Sequence, residues 1–154
     1  MLKINDLSPQ FSLLSSDGNQ VNLSDHKGKN IVLYFYPKDD TPGCTIEAQD
    51  FNNKIADFSN LDCLIFGISA DGFNSHCKFV NKYDLKFLLL SDDNKEACQK
   101  YGVLAEKSMF GKKYIGIDRS TFLIDKMGKI AYIWRSVKIN GHVDEVLATL
   151  KKLP

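Results

Sequence analysis

The sequence contains no Cys-x-x-Cys pair, no internal repeat, no low-complexity tract and no phosphate-binding glycine motif. The missing Cys-x-x-Cys argues against a zinc ribbon and against a redox-active dithiol. Net charge is only +1, from 20 basic and 19 acidic residues, so we expect neither nucleic acid nor a membrane surface as a partner. No stretch approaches the roughly 20 apolar residues that span a bilayer. Residues 1–10 also lack the basic-then-apolar pattern of a secretory signal.

The composition is that of an ordinary globular protein. Of the 154 residues, 44% are hydrophobic and 25% are charged, which is typical of a globular domain. A chain of this length buries roughly 68–70% of its unfolded surface. We therefore expect one domain over residues 1–154 that folds without a metal or disulfides. A cytoplasmic, reducing environment is also expected, in which the four cysteines are free thiols.

Strand and helix patterns alternate along the chain. A turn at 16–19 predicts an N-terminal β-hairpin. Further strands are predicted at 30–36, 63–69, 87–90, 120–124 and 129–134. Helices are predicted at 41–58, 73–83, 94–101 and 143–153, and the glycine- and lysine-rich segment 107–116 predicts a loop. This order indicates an α/β protein with a central mixed sheet flanked by helices, as in the thioredoxin-like fold.

The residue with the clearest chemical signal is Cys44. It follows a strand that ends at Pro37 and a helix start with Thr41 as N-cap and Pro42 in the first helical position. Ligands bind at this edge of open α/β sheets. A helix N-terminus carries partial positive charge and unpaired N–H groups, which favour a reactive thiolate and can hold negative charge on a substrate oxygen. Arg119, before the strand 120–124, is the best candidate for a second positive charge.

These residues resemble the active-site motif of the peroxiredoxins. The pattern is Pro37-x-x-x-Thr41-x-x-Cys44, and the surrounding YFYPKDDTPGCTIEAQDF resembles the bacterioferritin-comigratory, or peroxiredoxin Q, subgroup. The segments that resemble this subgroup in the same order are FGISADGFNSH, FLLLSDDNKEACQKYGV, EKSMFGKKYIGIDRSTFLID and the Gly-His pair before the last helix. The resemblance thus extends over nearly the whole chain.

The resemblance implies a thiol peroxidase that reduces hydrogen peroxide and organic hydroperoxides through a sulfenic acid on Cys44, in antioxidant defence. It implies that Thr41 hydrogen-bonds the thiolate and the peroxide, and that Pro37 shields the sulfur from water. Arg119 would keep the sulfur ionised and bind the peroxide oxygen. Glu47 matches an acidic position of the subgroup, and it either supports Arg119 or is a solvated helix residue. No metal, haem, flavin or other cofactor is implied, because the sulfur carries the redox change.

The sequence departs from the subgroup at its second cysteine. Many members carry a resolving cysteine five residues after the first, where this chain has Gln49. Others carry it in the following helix, at the position of Val80. Cys77 lies three residues earlier on that helix, and positions i and i+3 share a face, so Cys77 is a candidate resolving cysteine. Alternatively, Cys77 packs in the core, and an external thiol attacks the Cys44 sulfenic acid directly.

Other reactive side chains carry weaker signals. Asp39 and Asp40 are expected in a solvated loop, because adjacent carboxylates seldom converge on one substrate bond. His76 stands beside Cys77 without a metal-ligand spacing. No catalytic role is expected for His76 or for His142, which we place at the start of the last helix. The two remaining cysteines, at 63 and 98, are expected to be structural.

Two other functional classes compete with the enzyme. A redox sensor would pass oxidation of Cys44 to a partner with slow turnover, and a structural thioredoxin-like domain would carry an ordinary thiol. The co-occurrence of Thr41, Cys44 and Arg119 favours the enzyme. The resemblance implies a monomer with thioredoxin as the reductant, whereas glutaredoxin or glutathione is favoured if Cys77 is not a resolving cysteine.

Overall fold

A seven-stranded mixed sheet organises the chain. The computed structural model describes residues 1–154. Its strands are β1 Ser12–Ser15, β2 Gln20–Asn22, β3 Asn30–Phe35, β4 Cys63–Ser69, β5 Leu88–Ser91, β6 Leu104–Met109, β7 Lys112–Ile117, β8 Ser120–Ile124 and β9 Ile130–Trp134. Its helices are α1 Pro42–Asn53, α2 Ile55–Ser59, α3 Phe73–Tyr83, α4 Glu96–Lys100 and α5 His142–Lys151, with a 3₁₀ turn at Leu23–His26. None of the helices has the length and apolar character needed to cross a membrane.

The strand order of the sheet is β2-β1-β5-β4-β3-β8-β9. Strands β3, β4 and β5 pair in parallel, and the hairpins β1–β2 and β8–β9 add antiparallel strands on either side. Parallel neighbours need crossover connections, which α1 with α2, and then α3, provide. The predicted mixed sheet flanked by helices, with an N-terminal hairpin, is therefore confirmed.

Strand β3 lies inside the sheet, between β4 and β8, and separates two cores. Every one of its residues is buried, as expected for a strand covered on both faces. Because side chains alternate along a strand, Val32 and Tyr34 face a core shared with α1 and α5. Leu33 and Phe35 face the other core, which includes the β1–β2 hairpin and α4. The candidate site lies where β3 ends and α1 begins.

The single helix predicted at 41–58 is two helices. Lys54 separates α1 from α2, with a backbone outside helical geometry (φ −109°, ψ 11°). Asn52 and Asn53 are weak helix formers, and the Asn52 side chain bonds the backbone between α3 and β5 at 3.0 and 2.7 Å. The apolar stripe continues through the break, which explains why its spacing predicted one helix.

The prediction of a loop at 107–116 is wrong. The segment forms the hairpin β6–β7, in which Met109 pairs with Lys112 across a two-residue turn. Both turn residues, Phe110 and Gly111, have positive φ (52° and 78°), as in a type I′ turn. Many of the hairpin's side chains are exposed, so the segment lacks the apolar alternation that predicts strands.

Candidate active site

Cys44 lies in the first turn of α1, at the carboxyl edge of the parallel strands. Thr41 is the N-cap with extended backbone, and Pro42 is the first helical residue, so the predicted helix start is confirmed. The first N–H groups of a helix have no partner inside it. Cys44 is only 1% exposed, and its sulfur therefore faces protein groups and the helix N-terminus rather than bulk water.

Arg119 links the Cys44 thiol to a buried carboxylate. Arg119 Nη2 lies 3.4 Å from Cys44 Sγ, and Nη1 donates to Glu47 Oε1 at 2.7 Å. Strand β8 pairs with β3 so that Ser120 lies opposite Phe35, and the preceding Arg119 reaches the end of β3 where α1 begins. Cys44 and Glu47 are three residues apart on α1, which places both on the face that meets the guanidinium.

Burial has different outcomes for the charges of Glu47 and Arg119. Burial raises the pKa of Glu47 from 4.5 to about 7, against the charge and hydrogen bond of Arg119 and with a contribution from Asp50. Glu47 is 0% exposed, and its second oxygen Oε2 has no hydrogen-bond partner, so the reading of Glu47 as a solvated residue is wrong. Burial disfavours charge on Arg119 too, but Glu47 and Cys44 raise the pKa of Arg119 in spite of it. The guanidinium therefore stays charged beside the sulfur.

Gly43 allows the arginine to approach. A Cβ atom at this position would lie 3.0 Å from Ile139 Cδ1 and 3.3 Å from Arg119 Nη2. Both distances are tighter than ordinary van der Waals contact, so a side chain here would press against the guanidinium. The close approach of Arg119 thus explains why the residue before Cys44 is a glycine.

Thr41 and Pro37 lie at the mouth of the site. Both are half-buried and line a groove of about 780 Å³ that the β6–β7 hairpin borders on its other side. The Thr41 hydroxyl donates to the Lys38 carbonyl at 2.8 Å, which leaves its lone pairs to accept a hydrogen bond from a ligand. Exposed lysines and the apolar tip of the hairpin complete the lining of the groove.

Comparison with known proteins assigns the family. Residues 4–133 match the model of the AhpC/TSA family. The chain belongs to the AhpC/TSA family. Peroxiredoxin Bcp of Bacillus subtilis is 49% identical over 152 residues, covering 99% of this chain and 97% of that protein. Peroxiredoxin Bcp of Escherichia coli is 42% identical over 151 residues, covering 98% and 97%. The predicted resemblance to the bacterioferritin-comigratory peroxiredoxins is confirmed.

Solved peroxiredoxin structures agree with this assignment. The bacterioferritin comigratory protein of Xanthomonas campestris, whose alkyl peroxide reduction activity was addressed with trapped intermediate and ligand complexes, superposes with a TM-score of 0.88 at 44% identity. That match covers 92% of this chain and 90% of the other. A cysteine-to-serine mutant of Xylella fastidiosa PrxQ gives a TM-score of 0.93 at 38% identity, covering 98% and 96%. The protein therefore has the thioredoxin-like fold of a peroxiredoxin and is a thiol peroxidase.

This peroxiredoxin has four free cysteines in different surroundings. Cys63 and Cys98 are buried in the two cores, and burial raises the pKa of both thiols, that of Cys63 to about 12. Cys77 is half-buried and belongs to neither core, so the core-packing alternative is wrong. Its Sγ lies 3.5 Å from the Ser16 carbonyl in the β1–β2 turn. A resolving role for Cys77 toward Cys44 stays a prediction.

A buried polar cluster joins the loop before Cys44 of this peroxiredoxin to α3. The expectation of a solvated loop is wrong for Asp39, whose carboxylate is buried and lies 2.7 Å from His76. Asp40 has a left-handed backbone (φ 57°) and is exposed, where it binds Lys82 at 2.8 Å. The two adjacent carboxylates therefore point to different surroundings, which adjacency in sequence cannot reveal. A signal was nevertheless available, because Asp39 and His76 both lie in segments that match the family.

A second buried histidine lies near Arg119. His142 begins α5, as predicted, and its Nε2 lies 2.8 Å from Thr121 Oγ1. Burial lowers the pKa of His142 to about 4, and the charge of Arg119 lowers it as well. The imidazole is therefore neutral at neutral pH and places no second positive charge beside the guanidinium.

Proposed function

We propose that the protein reduces hydrogen peroxide and organic hydroperoxides with the Cys44 thiolate as the nucleophile. The observation that carries this proposal is the 3.4 Å contact between Cys44 Sγ and Arg119 Nη2 at the N-terminus of α1. A thiolate here faces a guanidinium and helix N–H groups, and both stabilise negative charge. Burial of Cys44 strengthens these interactions, because water screens them less.

The oxidation step is a displacement at oxygen. The Cys44 thiolate attacks the terminal oxygen of the hydroperoxide, and a sulfur–oxygen bond forms as the oxygen–oxygen bond breaks. The sulfur is oxidised to a sulfenic acid. The departing alkoxide or hydroxide takes the proton that the thiol lost and leaves as alcohol or water. Arg119, fixed by Glu47 at 2.7 Å, is placed to donate to the peroxide oxygens as their negative charge develops.

Thr41 and Pro37 act at the entrance to the sulfur. The Thr41 hydroxyl is held by its bond to the Lys38 carbonyl, and it orients the peroxide by accepting the peroxide O–H. Pro37 has no N–H group and lines the groove with an apolar ring, and we assign it the exclusion of water from the sulfur. Both assignments rest on the position of these residues where the groove meets the first turn of α1.

Reduction of the Cys44 sulfenic acid back to the thiol requires another thiol, and two routes are open. Attack by Cys77 would release water and form a Cys44–Cys77 disulfide, which thioredoxin then reduces. Direct attack by thioredoxin, glutaredoxin or glutathione would form a mixed disulfide at Cys44, which a second thiol cleaves. The contact between Cys77 and Ser16 favours the direct route, because Cys77 must leave the β1–β2 turn before it can react. We place this chemistry in a cytoplasmic monomer, a setting in which free thiols are the rule.

Peroxide turnover tests the proposal. Wild type, Cys44→Ser and Cys77→Ser are compared with thioredoxin and its reductase, and separately with glutathione, with Cys63→Ala as the control for a core cysteine. We expect turnover in wild type and none in Cys44→Ser. Equal turnover in Cys77→Ser would establish the direct route, and a stall after one cycle would make Cys77 the resolving cysteine. Oxidation of wild-type Cys44 without repeated turnover would favour a redox sensor over the proposed enzyme.

A further inference from the structure

A buried cluster of Tyr36, Asp39, Ser75 and His76 joins the loop before Cys44 to α3. The Asp39 and His76 side chains are 3% and 0% exposed. Tyr36 donates its hydroxyl hydrogen to Asp39 Oδ1 at 2.5 Å. Ser75 Oγ and His76 Nδ1 each lie 2.7 Å from Asp39 Oδ2. The cluster is thus a satisfied polar network under the loop at residues 37–41.

The hydrogen bonds of His76 determine where its protons lie. Nε2 lies 3.1 Å from the Leu90 carbonyl, which can only accept, so Nε2 carries a hydrogen. Nδ1 faces Asp39, whose carboxylate already accepts from the two hydroxyl groups of the cluster. Nδ1 and Oδ2 are 2.7 Å apart and share one hydrogen in a buried hydrogen bond.

Asp39 and Asp40 hold the 37–41 loop at three places, along α3 and just before it. The first is the 2.7 Å hydrogen bond between Asp39 and His76. In the second, the backbone N–H of Asp39 donates to Asp71 Oδ2 at 2.8 Å, just before α3 begins. In the third, Asp40 accepts from Lys82 near the end of α3 at 2.8 Å. Thr41 follows immediately, so its position depends on how these two aspartates are held.

The same cluster brings metal-ligating atoms together, but these atoms already bond each other and neighbouring protein groups. Ligand atoms of Asp39, Asp71 and His76 lie within 4.8 Å of one another. Both ring nitrogens of His76 and both carboxylate oxygens of Asp39 already have hydrogen-bond partners within the protein. The groups are therefore arranged to hold each other and the loop.

We propose that Asp39 and His76 are positioning residues for the peroxide reaction. Their hydrogen bond sets the backbone of the 37–41 loop, so that Thr41 and the first turn of α1 meet the peroxide in reactive geometry at Cys44. The inference rests on the proposed role of Cys44 as the nucleophile. A misplacement of about 1 Å costs roughly 100-fold in rate, so loss of the link slows oxidation of Cys44 in a protein that is still folded.

Two amide substitutions separate the two hydrogen bonds of the ring. In His76→Asn the amide nitrogen stands near Nδ1 and keeps a donor toward Asp39. In His76→Gln it stands near Nε2 and keeps the donor toward the Leu90 carbonyl. The measured quantity is the rate constant for oxidation of Cys44 by hydrogen peroxide, followed by quench-flow and whole-chain mass spectrometry. We expect His76→Asn to stay within about threefold of wild type and His76→Gln to fall by roughly 10- to 100-fold.

Equal rates in wild type and both variants would overturn the proposal, as would an equal loss in both variants, which would point to ring packing. Failure of wild type itself to oxidise Cys44 would instead refute the proposed function. Circular dichroism of both variants confirms that each rate belongs to a folded protein.

The hydrogen bond between the ring and Asp39 gives a test that does not depend on activity. The chain has three histidines, so a protein labelled with ¹⁵N at histidine gives three sets of ring resonances, and the His76 set is the one lost in folded His76→Asn. We expect the Nδ1 resonance of His76 to shift in Asp39→Asn while the other two sets stay in place. A His76 Nδ1 resonance that Asp39→Asn leaves unchanged would overturn the link and the proposal with it.

Discussion

Replacing Glu47 with glutamine tests how the buried carboxyl group is held. Burial raises the pKa of Glu47 from 4.5 to about 7, so between these pH values the native protein keeps a proton that the unfolded chain has lost. The stability contributed by this group is then highest below pH 4.5, falls as the pH rises to about 7, and stays low above it. Glutamine cannot ionise but keeps an oxygen for Arg119. At about 1.4 kcal/mol for each pKa unit, the free energy of unfolding of wild type should fall by about 3 kcal/mol relative to Glu47→Gln.

Denaturant unfolding of wild type and Glu47→Gln, from about pH 4 to about pH 8, measures this difference. Glu145→Gln is the matched control, because Glu145 is exposed on α5. The predicted result is a difference in unfolding free energy that changes across the window from pH 4.5 to 7. A difference that is constant, or that grows in favour of wild type with rising pH, would refute the reasoning. It would mean that Arg119 offsets or outweighs burial in setting the pKa of Glu47.

Arg119 and His142 give two further tests of the same site. Arg119→Ala should slow oxidation of Cys44 by about 100-fold or more. The variant should still fold, since Glu47 can take up a proton when its partner is lost. Arg119→Lys should restore part of the rate, because lysine keeps the charge but cannot contact Cys44 and Glu47 with two separate nitrogens. Stopped-flow rates in Arg119→Lys no better than in Arg119→Ala would argue against a role for charge. For His142, whose pKa is lowered from 6.5 to about 4, the unfolded chain binds a proton that the native protein does not bind. Wild type should therefore lose about 3 kcal/mol of unfolding free energy relative to His142→Gln as the pH falls from 6.5 to about 4. A difference between the two proteins that stays constant over this range in denaturant unfolding would contradict the prediction.

The centre of the site was predictable because its residues follow local rules. A strand end, an N-cap threonine and a proline in the first helical turn place Cys44 at a helix N-terminus without knowledge of any distant contact. Arg119 required one step more, since its approach to Cys44 depends on the pairing of β8 with β3. Its place before a predicted strand made Arg119 the best candidate, and the resemblance to the peroxiredoxins implied its role beside the sulfur.

The predictions that proved wrong concern residues whose surroundings depend on the backbone conformation. Asp39 and Asp40 are adjacent and chemically alike, yet a left-handed backbone at Asp40 leaves one carboxylate inside and the other in solvent. The β6–β7 hairpin was missed for a related reason, because a turn with positive φ at Phe110 joins two strands with many exposed side chains. Side-chain patterns report burial, and neither feature produces a burial pattern along the chain.

The identity of the oxidised sulfur is the most direct test of the central claim. Reduced wild-type protein is mixed with one equivalent of hydrogen peroxide and a sulfenic-acid trap, digested, and read by mass spectrometry at all four cysteines. The account predicts that the first product is a trapped sulfenic acid or a disulfide at Cys44, with Cys63 and Cys98 unmodified, and that Cys44→Ser consumes no peroxide under the same conditions. First oxidation at Cys77 with Cys44 intact, or peroxide consumption by Cys44→Ser at the wild-type rate, would contradict it.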